Sequence, residues 1–221
     1  MQNCEIASNV ASFGCGLAQP CCYNYSVMSM HRLSILLVGL VLGVSGVHTA
    51  QAQDAELLEA LRSGGHVGLM RHSTAPGSDD PPRFRLGDCE TQRNLSEGGR
   101  TQAEEIGSRL RASGITQARL FSSQWCRCLH TAELLGLGAV EELPSLNSLV
   151  TYRREGSTMI RDTRAWILEQ DLSTPTILVT HQINIGALVR RYPAEGEIVV
   201  VRPTPVGGLH VVGTISAPYV D

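Results

Sequence analysis

From residue 53 onward, short apolar runs alternate with helix-patterned segments, and this alternation constrains the fold more than any other feature. "HVGLM" (66–70), "ARLFSS" (118–123), "AVEEL" (139–143) and "PTILVTH" (175–181) read as strands, and "EIVVVRP" (197–203) and "GGLHVVGTIS" (207–216) close the chain as two more. Between them lie helical patterns at 54–65, closed by Gly64 and Gly65, and at 95–115, with Ser96 as N-cap and Gly114 as terminator. Further helical patterns occupy 125–138, part of 151–172, and 182–192. Strand–helix alternation predicts an α/β fold: a single domain, a three-layer α/β/α sandwich around a mostly parallel central sheet. One connection breaks the rhythm. Residues 73–93, "STAPGSDDPPRFRLGDCETQR", form a long loop of the kind that serves function or stays unfolded.

Composition narrows the chemistry. All eighteen basic residues are arginine, so a P-loop lysine and a lysine Schiff base are both excluded. A net charge of -3 gives no reason to expect a nucleic-acid partner. If the protein handles phosphate, arginine and histidine must do it.

The amino end reads as an export signal. His31 and Arg32 precede an apolar run from Leu33 to Val47, and Ala50-Gln51-Ala52 supplies a small-residue cleavage site. Residues 30–52 are therefore expected to be a secretory signal peptide, residues 1–29 an upstream extension from a mis-assigned start, and residues 53–221 the functional domain, periplasmic or secreted. The apolar run is short for a membrane span, so none is expected once the signal is removed. Cys89, Cys126 and Cys128 would enter an oxidising compartment, where an odd count allows one bridge and leaves one thiol. The Cys-x-Cys spacing lacks the second pair a zinc site needs, and no metal or other cofactor is expected.

Polar residues follow the strands. Arg71 and His72 come after the first, Ser122 and Ser123 after the second with Arg127 one turn into the next helix, and His181 after "TILVT". In open parallel sheets, ligands bind at the carboxyl ends of strands. Two arginines and two histidines sharing one sheet edge would repel without an anion between them. A phosphoryl group fits: guanidinium forks grip its oxygens and a neutral imidazole can attack its phosphorus.

The motifs "LMRHSTAP", "RNLSEGGRTQAEEIGSRL", "LFSSQWCRCLHTAELL" and "ILVTHQINIGAL" resemble, in order and spacing, the histidine phosphatase superfamily with its phosphoglycerate-mutase-like fold. The resemblance implies that His72 is a nucleophile forming a transient phosphohistidine. Arg71 and Arg127 would bind the phosphoryl oxygens, with Ser73 beside them in the place of the family's glycine. His181 would stabilise the transition state. No metal is implied. Leu95, Ser96, Gly99, Gln102 and Ala103 match the family's helix start, and Ser122, Ser123, Arg127, Thr131 and Ala132 match its second motif. The export signal and cysteines look like a periplasmic subgroup.

One departure stands out. Relatives carry a proton-donating carboxylate either where this chain has Ser148 or where it has Gln182. Proton donation is worth roughly 10²–10⁴-fold for a poor leaving group. The donor must then come from the long loop (Asp79, Asp80, Asp88 or Glu90, of which Asp88 and Glu90 flank Cys89) or from Glu141 or Glu142; otherwise the substrate must leave easily. The expected activity is metal-independent hydrolysis of a phosphomonoester, such as an envelope sugar phosphate. Alternatives are a phosphohistidine or phosphoanhydride hydrolase, and a non-catalytic phosphate-binding module. A mutase is disfavoured by the short chain. Because Arg71, His72 and Arg127 are expected to share a pocket, a disulfide is expected from Cys89 to the Cys126/Cys128 pair. The resemblance makes Cys126 the preferred partner, because the family's residue before this arginine is partly exposed and the one after it packs inward, which leaves Cys128 as a buried thiol.

Overall fold

A computed structural model describes residues 51–219. The expected signal peptide (30–52) falls almost wholly outside that range, and the expected upstream extension (1–29) wholly so. Six strands form one sheet: β1 (Val67–Arg71), β2 (Arg119–Ser122), β3 (Val140–Glu142), β4 (Thr176–Thr180), β5 (Ile198–Pro203) and β6 (Leu209–Ile215). Their order is β3-β2-β4-β1-β5-β6. Pairs β1–β4, β2–β4 and β2–β3 are parallel, whereas β5 runs antiparallel to β1 and β6 antiparallel to β5.

The helices are α1 (helical over 51–62), α2 (Glu97–Ala112), α3 (Cys126–Leu134), α4 (Gly156–Glu169) and α5 (Gln182–Val189). They divide between the two sheet faces, as the period-two alternation of strand side chains requires. Met70, Leu120, Ile177, Val179, Ile198 and Val200 pack with Leu57, Leu58 and Leu61 of α1, Ile106 and Leu110 of α2, and Cys128 and Ala132 of α3. The intervening residues Leu69, Phe121, Leu178, Val199 and Val201 pack with Ile167 of α4 and with Ile185 and Leu188 of α5. Each of the Leu, Ile, Val, Phe and Met side chains among them contributes roughly 1.5–3 kcal/mol on burial. This is the expected three-layer sandwich. No helix among the described residues is long and apolar enough to cross a membrane.

Local signals explain most boundaries. Ser96 caps α2 by accepting a hydrogen bond from Gly99 N at 2.9 Å, and Gly114 (φ +86°) ends that segment. Several helix ends fall a few residues short of the expected spans, α3 stopping at Leu134 instead of 138 among them, and one does so with no glycine to end it. The helix expected over 182–192 stops at Val189, because Arg190 turns into the left-handed region (φ 56°) and its N–H returns to Gly186 O.

Candidate active site

The carboxyl ends of β1, β2 and β4 lie side by side in the sheet, so their trailing residues converge. Arg71 ends β1, and His72 follows in extended pairing, its N–H bonded to the O of Thr180, the last residue of β4. His72 is 2% exposed. Its Nδ1–H donates to Ser73 O at 2.8 Å, leaving Nε2 as the nitrogen with a free lone pair. Burial, reinforced by Arg127, Arg71 and Arg93, lowers its pKa to about 3, so the imidazole is neutral. The His181 ring stands 5.7 Å away, centroid to centroid. It is pushed well below its ordinary value by burial and then by Arg127, His72, Arg93 and Arg71. His181 Nε2 meets Ser123 Oγ at 3.0 Å, Ser123 O–H reaches Asn147 Oδ1 at 3.3 Å, and Arg127 Nη2 faces His181 Nδ1 at 3.4 Å. All three contacts are satisfied when Nε2 carries the proton and Nδ1 accepts from Arg127.

Both arginines rest against carboxylates. Arg127, with 4% of its side chain exposed, donates through Nη1 to Asp80 Oδ1 at 2.8 Å. Arg71 donates through Nη2 to Glu195 Oε1 and through Nη1 to Pro193 O, each at 3.2 Å. The buried Nε atoms of Arg71, Arg93 and Arg127 have no protein partner among the described residues. Arg93 completes the charge cluster. Its backbone N–H binds Asp80 Oδ1 at 3.1 Å, and its guanidinium is tied to Ala75 O and to Gly77 O. A cleft of about 350 Å³ opens beside these groups, lined by Arg71, Arg127 and His181 together with Asp79, Asp80, Ser148 and Gln182. A smaller cavity on the α1–α2 side of the core holds none of these residues.

Other motif residues hold the frame. Thr131 Oγ1 accepts from Ser73 N at 3.0 Å and donates to Arg127 O at 2.6 Å, tying the β1 end to α3. Gln102 Oε1 accepts from Thr74 N at 3.1 Å. Gly99 lets α2 pass against Thr74: a Cβ there would lie 2.0 Å from Thr74 O.

Cys89 and Cys126 form a disulfide with Cα atoms 5.6 Å apart, the expected pairing. The expected reason needs correction, since Cys126 is as buried (1% exposed) as Cys128. What separates the two is their neighbours: Cys126 meets Cys89, whereas Cys128 faces His181. Cys128 is a free thiol 3.7 Å from His181 Nε2, and burial pushes its pKa up to about 12, so it stays protonated.

The structure does not bring every candidate to the cleft. Ser73 is fully buried, its Oγ without a partner among the described residues, and it lines no part of the cleft. Asp88 is taken up by an ion pair with Arg85. Glu90 sits in the single turn Cys89–Thr91 and is absent from the cleft lining, as are Glu141 and Glu142; Glu142 accepts instead from Gln124 Nε2. Three residues with a place here carried no sequence signal for it: Glu195 against Arg71, Trp125 Nε1 donating to Asp80 Oδ2 at 2.8 Å, and Cys128 against His181. Among the described residues no group of three His, Cys, Asp or Glu side chains could hold a metal ion.

Known proteins share the sequence pattern and the fold of this chain. The sequence pattern of the histidine phosphatase superfamily (branch 1) matches residues 67–176, and the chain belongs to that superfamily. Among solved structures, mycobacterial hydrolase 1 is 15% identical and superposes with a TM-score of 0.51 over 69% of this chain and 99% of that one, which shows a common fold. A mycobacterial glucosyl-3-phosphoglycerate phosphatase complexed with VO3 is 14% identical (66% and 97% covered, TM-score 0.49). The protein histidine phosphatase SixA complexed with tungstate is 17% identical (68% and 96% covered, TM-score 0.44). No curated protein sequence matches the chain.

Proposed function

We propose that this protein is a phosphoric monoester hydrolase that works through a phosphohistidine on His72. The observation that carries the reading is the state of that residue. Its Nδ1–H is locked to Ser73 O, its Nε2 lone pair is free, and the ring is neutral between Arg71 and Arg127. In the first step His72 Nε2 attacks phosphorus as the ester P–O bond breaks, and the leaving oxygen takes the electron pair and a proton. In the second step water attacks the phosphohistidine and returns His72. Arg71 and Arg127 bind the phosphoryl oxygens, which lets guanidinium groups supply the charge stabilisation without a metal ion. Burial and then the neighbouring charges suppress His181; a dianion against these arginines offsets the charges, which favours a proton on Nδ1 for donation to the phosphoryl group.

The substrate we propose is a phosphorylated small molecule, such as an envelope sugar phosphate, met after export; residues 30–52 would be the signal and 53–221 the exported domain. The buried Cys89–Cys126 bridge supports an oxidising destination. A second reading, hydrolysis of a phosphohistidine or phosphoanhydride, draws on Ser148 and Gln182, which line the cleft where relatives carry an acid. The test is a rapid acid-free quench with labelled substrate: wild type should carry base-stable, acid-labile phosphate on His72, and His72→Ala should neither carry it nor turn over. Label on another residue would overturn the mechanism.

A further inference from the structure

We propose that Asp80 is the proton donor of this site, and that substrate itself arms it by taking its place on Arg127. The inference rests on the phosphatase reading above and adds the group that reading lacks.

The placement is specific. Of the carboxylates in the long loop, only Asp79 and Asp80 line the cleft. Only Asp80 touches the phosphoryl-binding machinery, through its Oδ1 on Arg127 Nη1 at 2.8 Å. A phosphoryl oxygen seeking Arg127 must compete for that contact. The nucleophile is nearly closed to solvent in the resting state, so substrate entry requires something to give way. Asp80 can give way because it is carried by a loop and not by the sheet. Two neutral donors remain to hold it nearby: Trp125 Nε1 at 2.8 Å on Oδ2 and Arg93 N at 3.1 Å on Oδ1.

The exchange changes the acid. In the resting state burial would raise the Asp80 carboxyl, but the Arg127 hydrogen bond and charge, with Trp125 and the Arg93 N–H, outweigh burial and hold it below its usual value. It is then a carboxylate and cannot donate. Once a phosphoryl dianion holds Arg127, Asp80 loses its strongest partner and gains a like-charged neighbour. Both changes favour proton uptake. The charged and titratable groups around it are Arg127 and Cys128 of α3, Arg93 and Asp79 of the loop, and His181 after β4. Of these the two arginines oppose protonation, as does His181 once it carries a proton, and the dianion offsets them. As His72 Nε2 forms its bond to phosphorus, the P–O bond breaks, its electron pair stays on the leaving oxygen, and that oxygen takes the Asp80 proton. The resulting carboxylate then accepts a proton from the water that attacks the phosphohistidine, and free phosphate and protonated Asp80 result.

The test is kcat/KM for wild type, Asp80→Asn and Asp80→Glu over phosphate monoesters whose leaving groups run from p-nitrophenol to simple alkyl alcohols, with the inhibition constant of inorganic vanadate measured alongside. The expected result is a loss of about 10²-fold or more for Asp80→Asn on alkyl phosphates. On p-nitrophenyl phosphate, whose leaving group needs no proton, it should stay within a few-fold of wild type. Asp80→Glu should recover part of the alkyl activity, and vanadate should bind Asp80→Asn more tightly because no carboxylate competes for Arg127. Equal losses across the series would overturn the proposal and make Asp80 a positioning residue for Arg127. No loss would also overturn it. Wild type that cleaves no monoester would overturn the phosphatase reading itself, a result distinct from the other two.

Discussion

Acidification should destabilise this domain well above the pH at which carboxylates protonate. The perturbation is a shift from pH 7 to pH 5. In the unfolded chain His72 takes up its proton near its ordinary value of 6.5; in the folded protein it does so only near 3. Between those values the unfolded state binds a proton that the native state refuses. Stability therefore falls as pH drops below 6.5, by about 1.4 kcal/mol per unit, and the loss levels off near pH 3. From pH 7 to 5 this amounts to about 2 kcal/mol from His72 alone. His181, displaced in the same direction, adds to the loss. Carboxylates, with unfolded values near 4, contribute little in this window. Urea denaturation at the two pH values measures the difference. His72→Asn, whose side-chain amide can still donate to Ser73 O, should lose about 2 kcal/mol less than wild type over the same shift. The comparison is internal to each variant, so a change in baseline stability does not disturb it. Wild type equally stable at pH 7 and 5, or a variant with an unchanged pH slope, would refute the assignment of a neutral, proton-excluding His72.

Two further outcomes follow from packing. Cys89 and Cys126 are 37 residues apart. Reduction should cost about 4 kcal/mol by chain entropy, lowering the melting temperature by roughly 8–16 °C for a domain of this size. Without reductant, alkylation of the denatured protein should label Cys128 but neither Cys89 nor Cys126, and labelling of all three would disprove the bridge. Gly99→Ala should destabilise by about 2–3 kcal/mol despite alanine's better helix propensity, because its methyl would lie 2.0 Å from Thr74 O; a denaturation midpoint equal to wild type would show that α2 can retreat.

The sheet and its helices were legible because β1, β4 and β5 are short, nearly continuous apolar runs, the signature of strands covered on both faces. The histidines and arginines were legible because each follows a strand directly, and parallel strands bring their ends together. The carboxylates were not. Asp88 and Glu90 looked well placed by nearness to Cys89, yet Arg85, three residues away, claims Asp88 locally. Asp80 reaches Arg127 only through a loop path set by Trp125 and Arg93, which no periodicity encodes. Glu195 arrives from the turn before β5, far along the chain from Arg71. The end of α5 was missed for a related reason: Arg190 takes a left-handed conformation that glycine or asparagine would have announced.

The Cys89–Cys126 bridge closes residues 89–126 into a covalent ring that includes all of α2 and β2. The long loop is thereby split between two regimes. Arg93 belongs to the ring, whereas Asp80 lies on the open stretch ahead of it. A protease would report the boundary directly. One nick after Cys89 but before Cys126 leaves two fragments that migrate together until thiol is added. One nick between residues 75 and 88 yields fragments that part on denaturation alone, so the segment presenting Asp80 is the portion of the loop whose cutting severs the chain outright.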